Sequence, residues 1–133
     1  MNIHSFHCKQ HFMNAPESII HSSLSQPAKS FQDVSYTEAV QRAKDLIPLL
    51  SAEQDQTENR TYLTDTVVNA LHESGLFRYQ QPKIWGGMEV DFRGFMEIPY
   101  LLGLGCPSTG WVFANLASHN RQLAQWPMQA QED

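Results

Sequence analysis

The chain has 133 residues, 41% of them apolar and 11% aromatic, with a net charge of −5. That length supports one domain with a real core but not two of ordinary size. Without a Lys/Arg cluster or an apolar run of bilayer length, the pattern argues against nucleic acid or a membrane as the main partner.

Residues 1–35 read as a flexible leader. They are rich in His, Ser and Gln, show no sustained period, and are interrupted by Pro16 and Pro27, with a short helical piece near 16–20. The leader lacks the basic and apolar regions of a signal peptide. His4, His7, Cys8 and His11 are metal-capable side chains at short spacing. No second ligand pair follows, so a His-rich leader is the reading and no metal site is expected. Cys8 and Cys106 are isolated and unlike in surroundings, which points away from a disulfide framework and toward a reducing, cytoplasmic setting.

From Tyr36 the pattern turns helical. Ala39, Ala43, Leu46, Ile47 and Leu50 recur at spacings of three and four, which defines one apolar stripe. Pro48 is expected to kink or loosen this helix. The polar run from Glu53 to Asn59 is expected to fray. A second helix starts near Thr64, its N-cap, and stops at Ser74-Gly75, where Gly75 suits the left-handed C′ position. Residues 80–88 form a connecting loop marked by Pro82 and the Gly86-Gly87 pair, which Trp85 is expected to pin onto the helices.

A third helix is read from Asp91 to Gly105, apolar around most of its circumference and kinked at Pro99. The fourth follows Cys106-Pro107, with Ser108 as the expected N-cap, and runs to about Trp126. Pro127 then fits the first turn of a further helix. No segment alternates with period two over strand length, so the fold class is all-α, with four to five helices.

The fourth helix carries the chemistry. Val112, Leu116, His119, Leu123 and Trp126 share one stripe, so a histidine stands where the period calls for an apolar residue. The bland reading is a buried histidine with one hydrogen bond. The sharper one is a stripe lining a pocket, in which His119 exchanges a proton near neutral pH. Trp111, Asn115 and Ser118 lie on the neighbouring side. Gly86-Gly87 and Gly103-Leu104-Gly105 do not make a phosphate loop; the second is read as close helix packing and a helix stop. Cys106 is read as a packing residue.

Three pieces resemble a known family: Leu71-His-Glu-Ser-Gly-Leu-Phe-Arg78, Gln81-Pro-Lys-Ile-Trp-Gly-Gly-Met-Glu89, and Cys106-Pro-Ser-Thr-Gly-Trp-Val-Phe-Ala-Asn-Leu-Ala-Ser-His119. Residues 36–133 are similar to the N-terminal helical domain of acyl-CoA dehydrogenase-like flavin monooxygenases. The third piece resembles most the oxygenase components of two-component aromatic hydroxylases. Leu63-Thr64 departs from the apolar-Pro pair of many relatives, and Pro99 departs from their helix formers.

The resemblance implies a fragment of a phenol monooxygenase, truncated before the β-domain and C-terminal bundle and inactive alone. It implies reduced flavin, FMNH2 or FADH2, delivered by a separate reductase, a phenolic substrate, and homotetrameric full-length relatives. It places Trp111 beside the flavin and His119 on the phenol hydroxyl as the catalytic and substrate-binding residue, with Ser118 next to that contact. It also implies exposed apolar surface on the third and fourth helices. Two alternatives stand beside it: an acyl-CoA dehydrogenase-type oxidoreductase domain, and a non-enzymatic helical interaction module.

Overall fold

A computed structural model describes residues 29–132. The metal-capable group of the leader and the helical piece near 16–20 lie outside them. Among the described residues there are five α-helices and no strand: α1 (Tyr36–Arg60), α2 (Asp65–Glu73), α3 (Phe92–Gly105), α4 (Pro107–Leu123) and α5 (Met128–Glu132). Short 3₁₀ turns at Leu76–Arg78 and Lys83–Trp85 break up the stretch between α2 and α3. None of these helices is long and apolar enough to cross a membrane.

The chain starts on sequence signals that the backbone obeys. The Ser35 hydroxyl accepts from the Glu38 N–H and caps α1, and the Asp91 carboxylate accepts from the Gly94 N–H and caps α3. Thr64 caps α2 by accepting from the Val67 N–H, so the Leu63-Thr64 departure keeps a helix start by other means. Its hydroxyl also donates to the Glu53 carboxylate at 2.7 Å. Gly75 takes φ +76° just past Ser74, as its position after α2 predicts.

Four expectations change. Phe31 and Val34, inside the stretch read as a leader, are core residues, and the Phe31 N–H donates to the Gly86 carbonyl at 2.9 Å. The Glu53–Asn59 run does not fray. Thr57 is buried and Glu58 accepts from the Ser108 hydroxyl at 2.6 Å, so tertiary contacts hold α1 helical to Arg60. Pro48 lies on the exposed side of α1, which runs on through it. The N-cap of α4 is Cys106 rather than Ser108. Pro107 takes the first helical position, where its fixed φ fits and its missing N–H has no cost, and that shifts the start back.

The core lies between α1, α3 and α4, closed below by α2 and the first 3₁₀ turn. Leu50, Val67, Leu71, Leu76, Ile98, Leu102 and Phe113 are fully buried in it. Phe113 from α4 stands 5.7 Å from the Phe77 ring and 5.3 Å from the Tyr79 ring. Gly105 packs on α1: a Cβ there would come within 2.8 Å of the Leu50 Cβ. Gly110 is tighter still, its Cβ position lying 2.7 Å from the Gly103 Cα, so α3 and α4 meet backbone to backbone.

Pro99 sits inside α3 and has no N–H for the Phe95 carbonyl one turn back. The Tyr79 hydroxyl fills that vacancy, donating to the Phe95 carbonyl at 3.3 Å. Burial holds the Tyr79 phenol far above its ordinary pKa, and the nearby Arg121 offsets only part of that. The neutral phenol is therefore favoured more in the folded chain than in the unfolded one. Below the ordinary phenol pKa of about 10 this contribution is fully present. As pH rises above it, only the unfolded state ionises, and stability is lost. Urea midpoints between pH 9 and pH 11.5 are expected to fall more steeply for the native chain than for Tyr79→Phe. Parallel curves would sink this assignment.

Candidate functional site

On α4, Thr109, Gly110, Phe113 and Ala117 are buried. They are mostly small, and smallness is what lets α4 lie so close on α3. The bulky stripe read from the sequence faces the other way. Leu116, His119, Leu123 and Trp126 are exposed and Val112 is half-buried. The period was legible and the direction was inverted: shape, not hydrophobicity, selects the inward face here. His119 is thus not a buried histidine with one partner. Its ring points off the domain and makes no hydrogen bond among the described residues.

Trp111 stands at the N-terminal end of the same outward half and is 73% exposed. Asn115 and Ser118 follow it, but both spend polar atoms on their own helix. The Asn115 amide donates to the Trp111 carbonyl at 3.0 Å, and the Ser118 hydroxyl donates to the Asn115 carbonyl at 2.7 Å. The structure therefore sets Trp111 and His119 outward on one helix and leaves the Ser118 hydroxyl engaged.

The outward surface of α3 continues this face. Phe92, Met96, Tyr100 and Leu104, four residues apart along the helix, are all exposed. Between α3 and α4 lies an open apolar cleft of about 430 Å³, with Tyr100, Gly103, Leu104 and Trp111 among its lining. On the other side of Trp111 a second cleft of about 520 Å³ runs to the end of α1, lined by Thr57, Glu58, Tyr62 and Ser108. Apolar side chains on this scale, turned outward on two adjacent helices, mark an interaction or ligand surface.

Comparison with known proteins gives the chain a family. Oxygenase subunit HsaA of a flavin-dependent monooxygenase from Rhodococcus jostii is 38% identical over 94 residues, covering 71% of this chain and 25% of that protein. The oxygenase component of p-hydroxyphenylacetate 3-hydroxylase from Acinetobacter baumannii is 26% identical over 129 residues, covering 91% of this chain and 31% of that protein. The oxygenase component of an FADH(2)-dependent resorcinol hydroxylase from a Rhizobium species is 31% identical over 112 residues, covering 84% of this chain and 27% of that protein.

The chain belongs to the family of flavin-dependent hydroxylase oxygenase components.

It spans about a quarter to a third of the length of these relatives. No family model and no solved structure matches it. Within this oxygenase-component relative, several structural roles escaped sequence reasoning. Arg78 is a hub: its guanidinium donates to the Lys29 carbonyl at 2.7 Å, the Trp85 carbonyl at 2.6 Å and the Gln81 side chain at 2.5 Å. Trp85 ties its loop to α5, donating from the indole to Gln131 at 3.1 Å. Cys106 is buried between α3 and α4 and fits the packing role. Tyr36 donates to the Glu97 carboxylate and accepts from Arg93 at 2.6 Å, which joins the start of α1 to α3. The Glu97 contact raises the Tyr36 phenol pKa, with burial adding to it and Arg93 opposing. Arg93 and Glu97 stand four apart on α3, a spacing that a sequence reader can test; the contacts of Tyr36 and the carbonyl contacts of Arg78 join distant residues and have no sequence signal.

Proposed function

We propose that this chain is the N-terminal helical part of a reduced-flavin-dependent phenol monooxygenase, inactive by itself. The observation that carries the reading is the outward face of α3 and α4. It presents an indole, a histidine and a run of large apolar side chains, each largely exposed among the described residues. One wall of an active site has this character before the remaining walls close on it. The acceptors named in two relatives are phenols, p-hydroxyphenylacetate and resorcinol.

Reduced flavin, bound and met by dioxygen, supplies the oxygen atom for the ring. The chain's own residues do the rest. The Trp111 indole offers a flat wall for the isoalloxazine, a fit that its exposure and the apolar cleft beside it support. The His119 imidazole hydrogen-bonds the phenol hydroxyl and favours the phenolate, which raises electron density on the ring carbon that takes oxygen. Ser118 borders that contact. One wall alone cannot exclude water from reactive flavin, so the isolated chain does not hydroxylate. A separate reductase supplies the flavin, full assembly is a homotetramer, and the setting is the cytoplasm.

The test is a chimera. Residues 36–132 replace the matching segment of the Rhodococcus jostii relative, and photoreduced flavin is supplied in place of a reductase. Hydroxylation of a phenol is expected to survive the graft. Within the chimera His119→Ala is expected to lower the hydroxylation rate by about 100-fold with flavin binding intact. Unchanged hydroxylation in His119→Ala would remove the assigned role. Micromolar FMN binding by the 133-residue chain alone would contradict its dependence on the rest of the enzyme.

A further inference from the structure

The cleft between the end of α1 and the start of α4 has a chemistry of its own. The side chains of Tyr62 and Trp111 stand in its lining, both exposed, and Glu58 is the one charged residue there. One Glu58 oxygen accepts from the Ser108 hydroxyl at 2.6 Å, and no described residue bonds to the other. Thr57, next along α1, also lines the cleft. It is only 4% exposed, and its hydroxyl has no hydrogen-bond partner among the described residues. The Thr109 hydroxyl is likewise unpartnered but does not line the cleft. A buried hydroxyl without a partner costs free energy until a ligand or a water meets it.

These groups share one preference. A carboxylate accepts only, a hydroxyl oxygen accepts, and aromatic faces attract positive charge. The cleft also lies at the C-terminal end of α1, the negative end of its dipole. The positive start of α4 is answered by Glu58 through Ser108. Tyr62 already takes one cation: Arg60, which does not line the cleft, lies 5.8 Å from its ring centroid. A water could meet Thr57, but it would use neither the charge nor the rings. Glu58 disfavours an anion or an electron-rich ring. We propose that this cleft binds a small organic ammonium ion. Its charged head lies between the Glu58 carboxylate and Thr57 Oγ1, and its apolar body lies against Tyr62 and Trp111. A volume of about 520 Å³ is in the range of small-molecule sites. The inference does not rest on the hydroxylase reading, which uses the cleft on the α3 side of Trp111.

The experiment titrates n-butylammonium chloride, charged at neutral pH as a lysine side chain is, into the full chain and follows assigned NMR signals. Butan-1-ol, its neutral counterpart of similar shape, is titrated in parallel. Saturable shifts are expected with the ammonium at the Thr61, Tyr62 and Ser108 amides and the Trp111 indole N–H, and they should weaken as salt is added. Glu58→Gln removes the charge but keeps an acceptor for Ser108, so the fold persists. It is expected to weaken binding by about tenfold, the scale of a charge-assisted hydrogen bond. Thr57→Val keeps the shape, removes the unpartnered hydroxyl, and is expected to weaken binding by about threefold without loss of stability. Equal binding of butan-1-ol would overturn the proposal by showing an apolar cleft with no preference for charge. Unchanged binding in Glu58→Gln, shifts centred on Tyr100 and Leu104, or no saturable shift would each overturn it as well. All of these outcomes leave the hydroxylase reading standing, and failure of the grafted chimera leaves this one standing.

Discussion

Phe113→Ala is expected to destabilise the domain by about 4 kcal/mol, within the range for emptying a buried aromatic site. Phe113 is fully buried and is the largest side chain that α4 sends inward. Its neighbours along that face are Thr109, Gly110 and Ala117, which are too small to fill the void. The rings it touches, Phe77 and Tyr79, are held in place from elsewhere: Tyr79 by its bond to the Phe95 carbonyl, and Phe77 by its carbonyl, which accepts from Asn120 at 2.8 Å. Neither is free to collapse into the space. For a domain whose whole stability is on the order of 5–15 kcal/mol, a loss of this size leaves α4 poorly anchored. Urea denaturation checks it. A loss under about 1 kcal/mol would mean that α4 is held by its outward face instead.

Gly75→Val is expected to cost about 3 kcal/mol, from two sources that can be separated. The backbone at Gly75 has φ +76°, a conformation that a β-branched residue adopts only with strain. The new Cβ would also lie 2.3 Å from the Phe31 ring. That ring is boxed in: Arg42 and Lys29 lie over it at 5.9 Å and 5.3 Å from its centroid, and Arg42 also donates to the Ser74 carbonyl at 2.7 Å. Phe31→Ala removes the collision but not the strain. The double variant should therefore lose less than the sum of the two single losses, by about 1 kcal/mol or more. Additive losses would show that the ring and the glycine do not share a site. The pair also explains why 31–34 belong to the domain although no periodic pattern reaches them. Phe31 is a single plug, and a single plug has no period.

The fold was legible where capping and spacing act locally. Thr64, Gly75 and Asp91 each state a helix end in their own chemistry, and Ala39, Ala43 and Leu50 state one face of α1. It was illegible where a distant partner decides. The polar end of α1 remains helical because Thr64 and Ser108 bond to Glu53 and Glu58. Pro99 is tolerated inside α3 because Tyr79 supplies the donor that proline lacks. The candidate site was half legible for the same reason. Spacing put His119 and Trp111 on the same helix with large apolar neighbours. Which way that face turns depends on Gly103 and Gly110, whose close approach no hydrophobicity pattern records.

The glycine seam between α3 and α4 also separates two kinds of selection. Its closest approach is between main-chain atoms, Gly110 against Gly103, and that approach needs no outward side chain. Residues at 100, 104, 111, 115 and 119 are free to vary in size and polarity with little penalty in folding. A scaffold so divided can change its outward surface by replacements there alone, while its interior stays fixed.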